Sequence, residues 1–270
     1  TTRCVNLNYC RMILYFSATG NTLWAVEQIQ AATRDRVMPM TVTDEDVEVT
    51  LEEGERLGFF FPVHGWRPPL LVRRFISRLK VNNLADHYVY ALCTAGDTVG
   101  EALDILSADL QKQGVHLTTS ASLLMPESYI GLPFMDVDTV EREGEKIESS
   151  QIRFNGMIDD IIHCRPFRYR PDIGRWPRIN SRVIGAFFTA KLVTDRPFHV
   201  DATKCLKCGK CVDACPVGDI RGGKGCVPEW IHNGHCLTCF ACFHHCPVHA
   251  IDYGIRTKHK GQYYFGKNKV

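Results

Sequence analysis

The sequence predicts an α/β protein in which a doubly wound parallel sheet of five strands is followed by a small α+β domain. Between residues 12 and 162, short apolar runs typical of strands alternate with helical patterns, and this alternation produces parallel sheets. Eight of the 13 cysteines then fall in two copies of one motif near the C-terminus. A length of 270 residues, 45% of them hydrophobic, is enough for two domains with a sizeable core.

The first predicted strand, residues 12–16, ends at a loop of small polar residues. This loop, residues 17–22, reads Ser-Ala-Thr-Gly-Asn-Thr, and a helical pattern begins at Leu23. Backbone N–H groups and hydroxyls in such a loop, beside the positive end of a helix dipole, form a cradle for a phosphate. A single residue of this kind would suit a helix N-cap. Five hydroxyl, amide and glycine positions among six exceed what capping needs.

The remaining elements of the predicted sheet follow in order along the chain. They are a third, buried strand (56–61), a helix (73–79), a fourth strand (88–93), a helix (about 99–113), a fifth strand (about 115–124) and a last helix (about 140–162). Residues 62–66 and 94–97 directly follow the third and fourth strands. In doubly wound sheets, ligands bind outside the carboxyl ends of the strands. We therefore expect both loops to lie near the phosphate cradle.

The cysteine motif occurs twice, 31 residues apart, as C-x2-C-x2-C-x3-C-P. Zinc sites usually pair separate C-x2-C knuckles, and cysteines this close in the chain pair poorly as disulfides. Three thiolates in a tight run with a fourth before a proline are typical of a [4Fe-4S] cluster. Apolar residues also repeat, since Val217 and Ile220 recur as Val248 and Ile251, which predicts two half-domains that share a core. The sequence thus predicts two [4Fe-4S] clusters, which carry single electrons.

Two resemblances follow from these motifs. Residues from about 198 to 255 resemble a bacterial two-cluster ferredoxin, and residues 17–22 resemble the flavodoxin phosphate loop, S/T-x-T-G-x-T, which holds the phosphate of FMN. Together the halves resemble the flavodoxin–ferredoxin fusion family of anaerobic bacteria and archaea. The resemblance implies a flavodoxin-like FMN-binding domain (11–164), a basic, proline-containing linker with a short helix (165–196) and a 2[4Fe-4S] ferredoxin domain with a C-terminal tail (197–270).

The ferredoxin resemblance implies crossed ligand sets. One cluster would be held by Cys205, Cys208, Cys211 and Cys246, and the other by Cys236, Cys239, Cys242 and Cys215. The flavodoxin resemblance implies that FMN contacts three segments, namely Ser17, Ala18, Thr19, Gly20, Asn21 and Thr22; Pro62, Val63, His64, Gly65 and Trp66; and Thr94, Ala95, Gly96 and Asp97.

Within these segments, several roles stay open. Gly65 and Gly96 would let the backbone approach the flavin ring. Trp66 would stack on the ring or shape its loop, or instead anchor the ferredoxin half. His64 is a structural side chain or a proton donor, and Asp97 a turn residue or a hydrogen-bonding partner of the ring. The aromatic and apolar stretch 125–134 would either form one side of a substrate pocket or pack against the last helix. In the first case, Tyr129 is the candidate substrate contact.

Charge is distributed unevenly along the chain. Residues 1–164 carry 14 basic and 23 acidic side chains, residues 165–196 carry eight and two, and residues 197–270 carry ten and five. Asymmetry of this size drives association. We therefore expect the linker, stiffened by Pro166, Pro171 and Pro177, to lie as a clamp across the acidic N-terminal domain, rather than to bind nucleic acid.

Hydropathy and cysteine use suggest a compartment. No apolar run reaches the roughly 18–20 residues that span a bilayer, and the N-terminus lacks a signal pattern. We therefore expect no membrane partner. Clusters of this kind need reduced thiols, which indicates the cytoplasm of an anaerobe. Cys93 and Cys164 are expected to be small buried side chains and Cys226 to be spare, whereas Cys4 and Cys10 receive no role.

The cofactors predict an electron-transfer protein that links a low-potential donor, the two clusters and FMN to a partner oxidoreductase or a small acceptor. No G-x-G-x-x-G follows a strand, so reduced ferredoxin or a similar redox protein is favoured as donor over a nicotinamide. The alternative is a true reductase with its own substrate at the FMN, such as a quinone, nitro compound or corrinoid. Whether the chain is an enzyme, its reduction potentials and its oligomeric state are left open by the sequence.

Overall fold

The computed structural model describes residues 11–84 and 87–267. The N-terminal domain is built on five parallel strands, which are β1 (Met12–Tyr15), β2 (Arg36–Pro39), β4 (Arg56–Pro62), β6 (Tyr88–Ala95) and β7 (Thr119–Leu124). Their order in the sheet is β2-β1-β4-β6-β7. Counted among themselves, these strands run 2-1-3-4-5, which is the flavodoxin-like doubly wound order. The predicted fold class is therefore confirmed.

Helices cover both faces of this sheet. They are α1 (Asn21–Thr33), α2 (Leu70–Ser77), α3 (Ala102–Gln111) and α4 (Val140–Ile162). Successive side chains of a strand point to opposite faces. Along β4, Phe59 and Phe61 accordingly join the core formed with α2 and α3, whereas Phe60 joins the core formed with α1 and α4. The central strand is thus buried on both sides, as its unbroken apolar run indicated.

Several boundaries differ from the predicted ones. Helix α1 begins at Asn21 rather than Leu23, so the last two residues of the polar loop form its first turn. The last sheet strand begins at residue 119 because the amide of Val115 instead donates to the Leu110 carbonyl in a turn that ends α3. An additional two-stranded parallel sheet, β3 (Val47–Thr50) and β5 (Leu79–Asn82), was not predicted.

The C-terminal domain consists of two short antiparallel pairs and two single-turn helices. The strands are β8 (Phe198–Val200) with β11 (Ile251–Tyr253) and β9 (Ile220–Gly223) with β10 (Cys226–Trp230), and the helices are α7 (Lys210–Asp213) and α8 (Ala241–His244). Ile220 and Ile251 belong to one shared core, as the repeat predicted. The repeat also appears in the backbone, because left-handed residues recur at the same spacing of 31 in the pairs Lys207 and Thr238, Gly209 and Phe240, and Gly218 and His249.

A helical segment of the linker, residues 177–192, lies between the two domains and is called the linker helix below. It comprises α5 (Pro177–Ile179), a π-helical turn (Asn180–Ile184), α6 (Gly185–Phe187) and a second π-helical turn (Phe188–Leu192). Arg182 forms a bidentate ion pair with Glu101 at 2.7 and 2.9 Å. Farther upstream, Arg165 and Arg168 pair with Asp160 at the end of α4. Three of the six arginines between residues 165 and 182 thus pair with acids of the N-terminal domain.

The C-terminal tail returns to the N-terminal domain. The amide of Phe265 donates to the Thr19 carbonyl at 2.8 Å, and the Tyr263 hydroxyl donates to Asn21 Oδ1 at 2.6 Å. Gln262 meanwhile donates to the carbonyls of Phe243 and Cys246. The tail therefore joins the cysteine-rich domain to the polar loop of the sheet domain, a contact that no local pattern predicted.

The cysteines outside the two motifs behave differently from one another. Cys93 is fully buried, as expected. Cys164 is half-buried and disulfide-bonded, so the expectation of a small buried side chain was wrong. Cys226 is exposed, and Cys4 and Cys10 lie outside the described residues. Among the described helices, none has the length and apolar character needed to cross a membrane.

One buried ion pair lies at the amino end of β4. Arg56 at the start of β4 donates to both carboxylate oxygens of Asp35, at 2.9 and 3.0 Å, and to the Ile161 carbonyl at 2.8 Å. Both side chains of the pair are at most 1% exposed. A buried charge without its partner is far more costly than an exposed one.

We expect Arg56→Met to lower the free energy of unfolding by about 3–5 kcal/mol, because Asp35 would keep an uncompensated buried charge. Urea denaturation followed by circular dichroism measures this change. Lys80→Met is the matched control, since Lys80 pairs with Asp46 at 2.7 Å with both side chains about half exposed, and its midpoint should not move. Equal midpoints for the two variants would contradict a structural role for the buried pair.

Candidate functional site

A cavity lies at the carboxyl ends of β1, β4, β6 and β7, and its wall is completed by the linker helix and the C-terminal domain. Fourteen of the 15 predicted flavin-contacting residues line it. The exception is Gly20, on which Phe265 of the tail packs so closely that an added Cβ would lie 2.9 Å from the Phe265 Cβ. The structure therefore brings together all three predicted segments.

Side-chain hydrogen bonds fix the conformation of the polar loop 17–22. Ser17 Oγ accepts the Leu23 amide at 3.2 Å, which closes the loop onto the first turn of α1. The hydroxyls of Thr22 and Thr94 share a hydrogen bond of 2.8 Å. Within the described residues, the amides of residues 18–22 donate no hydrogen bond. These amides and the positive end of α1 form an anion cradle.

The loop after β4 takes its shape from contacts with its neighbours. Trp66 has a left-handed backbone (φ 57°), and its indole N–H donates to Thr98 Oγ1 at 3.1 Å. The indole is thus tied to the loop after β6. Gly65 also has a positive φ, and an added Cβ would lie 2.6 Å from the ring of Phe188 in the linker helix. The space at Gly65 is therefore occupied by Phe188.

Glu127, which the sequence analysis missed, forms part of the cavity wall in the loop after β7. Its Oε1 accepts the amides of Ser128 and Tyr129 at 2.9 and 2.8 Å. Its Oε2 would lie 2.2 Å from a Cβ at Gly96, so this glycine makes room for the carboxyl group. Burial raises the pKa of Glu127 despite the two N–H groups that stabilise its anion. Its place at the end of the fifth strand was the one signal available in the sequence.

The two candidate catalytic residues also line the cavity. Burial lowers the pKa of His64 to about 4, so its imidazole is neutral at neutral pH. Burial raises the pKa of Tyr129, whose phenol therefore stays protonated. The Tyr129 ring makes edge contacts with Phe188 and Phe240, at centroid distances of 5.3 and 5.5 Å. Tyr129 thus lies where the sheet domain, the linker helix and the cysteine-rich domain meet.

The eight motif cysteines form two separate groups, each of which takes one member from the other repeat. Cys246 lines a small cavity together with the first three cysteines of the first repeat, Cys205, Cys208 and Cys211. Burial raises the pKa of the Cys239 and Cys242 thiols of the second repeat, and Cys215 of the first repeat lies close enough for its charge to raise the pKa of both further. Cys236 raises the pKa of Cys242 in the same way. This is the crossed grouping that the ferredoxin resemblance implies.

Backbone N–H groups aim at the cysteine sulfurs in the same way in both repeats. Lys207 and Thr238 donate to the first sulfur of their own repeat, that of Cys205 or Cys236, each at 3.4 Å. The last sulfur of each motif accepts an amide from four residues on, at 3.3 Å for Cys215 and 3.2 Å for Cys246. Such bonds stabilise the negative charge of cluster thiolates and tune the cluster potential.

Neither cysteine group forms a site for a single metal ion. Among residues 11–84 and 87–267, no three His, Cys, Asp or Glu side chains converge closely enough to hold one metal ion. A zinc site needs four ligands about 2.0–2.3 Å from one centre. In a [4Fe-4S] cluster each thiolate binds a different iron, so the four sulfurs stand farther apart. The two cysteine groups therefore fit two such clusters.

One cysteine of the second group reaches the main cavity. Cys239 lines it together with Leu237 and Thr238, the residues just before it. Leu237 is buried in the core of the sheet domain, which fixes this segment against the cavity. The cavity that contains the anion cradle and the second cysteine group are therefore direct neighbours.

A family of known proteins matches the cysteine-rich part of the chain. Residues 198–248 match the family described as 4Fe-4S dicluster domain. No curated protein matches the chain significantly. Solved structures similar to this chain include proteins assigned as flavoproteins from Bacteroides eggerthii and Bacteroides uniformis, each 18% identical over 43% of this chain and 89% or 91% of theirs, with TM-scores of 0.33 and 0.34.

A third structure is rubredoxin oxygen:oxidoreductase from the anaerobe Desulfovibrio gigas, 10% identical over 56% of this chain and 36% of that one, with a TM-score of 0.30. At such low TM-scores, the assignment of the N-terminal domain depends on its own strand order and cavity. The family match and the two cysteine groups identify the C-terminal part of the chain as a 4Fe-4S dicluster domain with two [4Fe-4S] clusters.

Proposed function

We propose that the chain is a flavo-iron–sulfur protein that binds FMN in the main cavity and moves electrons between a low-potential donor, two [4Fe-4S] clusters and the flavin. The observation that supports this proposal most is that Cys239, a predicted ligand of the second cluster, lines the same cavity as the polar loop 17–22. When bound, the clusters supply one-electron transfer and the flavin supplies one- or two-electron chemistry.

The anion cradle supports FMN as the ligand of the cavity. A phosphate there would accept the amides of residues 18–22 and the hydroxyls of Ser17, Thr19 and Thr22. Lysine and arginine are absent from the described residues that line the cavity, so the charge of the phosphate would be balanced by N–H dipoles alone. This is a weakly charged site suited to a terminal phosphate and an apolar ring.

The rest of the cavity supports binding of the flavin ring. Val63, Phe188 and Leu237 provide apolar walls that exclude water. Glu127 lies where a carboxyl group can hydrogen-bond a ring edge, and its raised pKa keeps a larger protonated fraction than an exposed glutamate has. The neutral imidazole of His64 adds a polar group without charge. Ring binding in an apolar pocket with few polar groups is typical of cofactor sites.

The surface of the first cluster supports a redox protein as electron donor. Leu206, between the ligands Cys205 and Cys208, is 62% exposed, and Lys204, Lys207 and Lys210 around it are exposed as well. A basic surface around an accessible cluster favours an acidic donor such as a reduced ferredoxin. Electrons would then pass from the first cluster to the second, which adjoins the flavin cavity.

A reductase is the second candidate function, and one observation favours it. Tyr129, Leu132 and Met135 of the stretch after β7 line the cavity in addition to the predicted flavin loops. This apolar wall could hold a conjugated acceptor against the flavin, with the Tyr129 hydroxyl as a hydrogen-bond donor. A pure carrier needs no such wall, because its flavin edge only has to meet a partner protein.

Reoxidation of the anaerobically reduced protein distinguishes these two functions. The flavin and iron–sulfur absorption of the holoprotein would be followed after adding a panel of quinones, nitro compounds and corrinoids, and in parallel after adding oxidised redox proteins. Saturable reoxidation by one class of small molecule, slowed by Tyr129→Phe, means a reductase. Reoxidation by redox proteins alone means a carrier, and reoxidation of the clusters without the flavin would contradict both.

Loss of the cradle hydroxyls should release FMN but not iron. In the double variant Thr19→Ala with Thr22→Ala, two donors to the phosphate are missing, and we expect FMN to bind at least about 10-fold more weakly. Calorimetry with FMN and an iron assay measure both cofactors. Thr41→Ala with Thr43→Ala is the matched control, since Thr41 is exposed, Thr43 is half-buried and neither lines the cavity. Full flavin retention in the first variant would overturn the cradle assignment.

Removal of one cluster ligand should remove one cluster. We expect Cys208→Ala to contain about four rather than about eight irons per chain, and to loosen the C-terminal domain, because cluster binding contributes to its folding. Iron analysis and electron paramagnetic resonance of the reduced protein measure this. Cys226→Ala, which changes an exposed cysteine between the repeats, should keep both clusters. An unchanged iron content in Cys208→Ala would contradict the ligand set.

The tail should contribute to flavin binding through Asn21. Tyr263→Phe removes the buried hydrogen bond to Asn21 Oδ1 and leaves that oxygen unsatisfied, so we expect FMN to bind about 10-fold more weakly, with iron unchanged. Tyr264→Phe is the matched control, because Tyr264 stacks on His245 at 4.3 Å and keeps that contact without its hydroxyl. Equal FMN affinities of the two variants would exclude this role of the tail.

A further inference from the structure

The outer face of the linker helix exposes a continuous apolar surface. Its large side chains are Ile179 (50% exposed), Val183 (63%), Ile184 (46%) and Phe187 (60%), and Trp176 (56%) directly precedes the helix. Ile179, Val183 and Phe187 follow one another at intervals of four residues, and Ile184 lies beside Val183, so these side chains share one side of the helix. Scattered exposed hydrophobic residues are ordinary on a protein surface, but a contiguous stripe of this kind marks an interaction site.

The opposite face of the same helix is firmly packed, so the stripe does not result from a loosely attached helix. Ser181 is fully buried, accepts the Glu101 amide at 2.7 Å and donates to the Trp66 carbonyl at 2.9 Å. Gly185 lies so close to the sheet domain that an added Cβ would be 2.1 Å from the Gly65 carbonyl oxygen. The buried Phe188 lines the main cavity. These contacts leave the helix no freedom to turn its apolar stripe inward.

Basic side chains accompany the stripe. Arg175, Arg178 and Lys191 are exposed and form no ion pair within the described residues. The guanidinium of Arg175 lies 5.3 Å from the centroid of the Trp176 ring. Arg182 pairs with Glu101, yet its side chain is 67% exposed. The outer face thus combines apolar and aromatic side chains with positive charge.

We propose that the outer face of the linker helix binds the surface of an anionic phospholipid bilayer, lying in the interface without crossing it. Apolar and aromatic residues flanked by Lys and Arg are what such interfacial helices present, the former to the acyl region and the latter to lipid phosphates. This partner departs from the expectation of no membrane partner, which was drawn from the absence of a spanning apolar run and of a signal pattern in the sequence.

A second copy of the chain fits this face less well than a bilayer does. Two-fold pairing would bring the same patch together from both subunits and would set Arg178 and Arg182 of one helix near those of the other. An anionic lipid surface instead complements every basic residue of the face. Docking would also place the main cavity about one helix diameter, roughly 10 Å, from the lipid, because Phe188 lies on the inner face of the helix.

Sedimentation with lipid vesicles tests this proposal. The anaerobically purified holoprotein would be mixed with vesicles of phosphatidylcholine alone or with about 30% phosphatidylglycerol. Given about three unpaired basic residues, we expect binding to be about 10- to 100-fold tighter to the anionic vesicles and to weaken with salt. No sedimentation with anionic vesicles at millimolar lipid, or equal binding to both vesicle types, would overturn the proposal.

Matched variants assign the binding to this face. Val183→Glu with Phe187→Glu should weaken vesicle binding at least about 10-fold, because it sets two charges in the apolar stripe. Phe134→Glu with Ile255→Glu changes two residues that are 83% and 86% exposed elsewhere, and should bind like the unaltered protein. Unchanged flavin and iron contents verify folding. If the first variant instead converts a dimer into a monomer on light scattering while vesicles never bind, the face contacts a second copy, and the bilayer proposal is wrong.

Discussion

The common direction of the five sheet strands is the constraint on which the site depends. Because all five run parallel, the loops after β1, β4, β6 and β7 emerge at one edge, however far apart they lie in the sequence. The anion cradle, Trp66, Gly96 and Glu127 meet there for that reason alone. The C-terminal domain adds only a short segment, in which buried Leu237 anchors Cys239 at the same edge. One topological rule thus gathers the loops that line the cavity, and one buried side chain fixes Cys239 beside them.

Two segments outside the domain cores hold this arrangement in place. The linker helix packs Ser181 against Trp66, and the tail reaches Asn21 through Tyr263. Between them, His244 of α8 hydrogen-bonds the Ser128 carbonyl through Nε2 at 2.7 Å and accepts the Tyr263 amide at Nδ1. Burial lowers the pKa of His244 to about 4, so the neutral ring can donate on one side and accept on the other. These contacts join the linker helix, the tail and α8 to the loops that line the cavity.

The parts predicted correctly from the sequence are those set by local patterns. The apolar run of β4, the bounds of α4 and the cysteine spacing depend on residues that are neighbours in the chain. The missed parts depend on contacts between distant residues. Glu127 belongs to the site because Gly96, 31 positions earlier, leaves room for its carboxyl group, and the tail reaches Asn21 across 242 positions. Gly65 lines the cavity as expected, but no local pattern indicated that Phe188 of the linker helix would pack against it.

The linker arginines divide into two groups with different roles. Arg165, Arg168 and Arg182 pair with acids of the sheet domain and so act as the clamp that charge asymmetry suggested. Arg175 and Arg178 form no ion pair among the described residues, and they lie next to the exposed Trp176 and Ile179. A clamp alone would need no apolar outer face, and exposing four large hydrophobic side chains of the helix together with Trp176 opposes solubility. The two faces of this segment therefore have different roles. The inner face closes the cavity, and the outer face is the one proposed to bind an anionic bilayer surface.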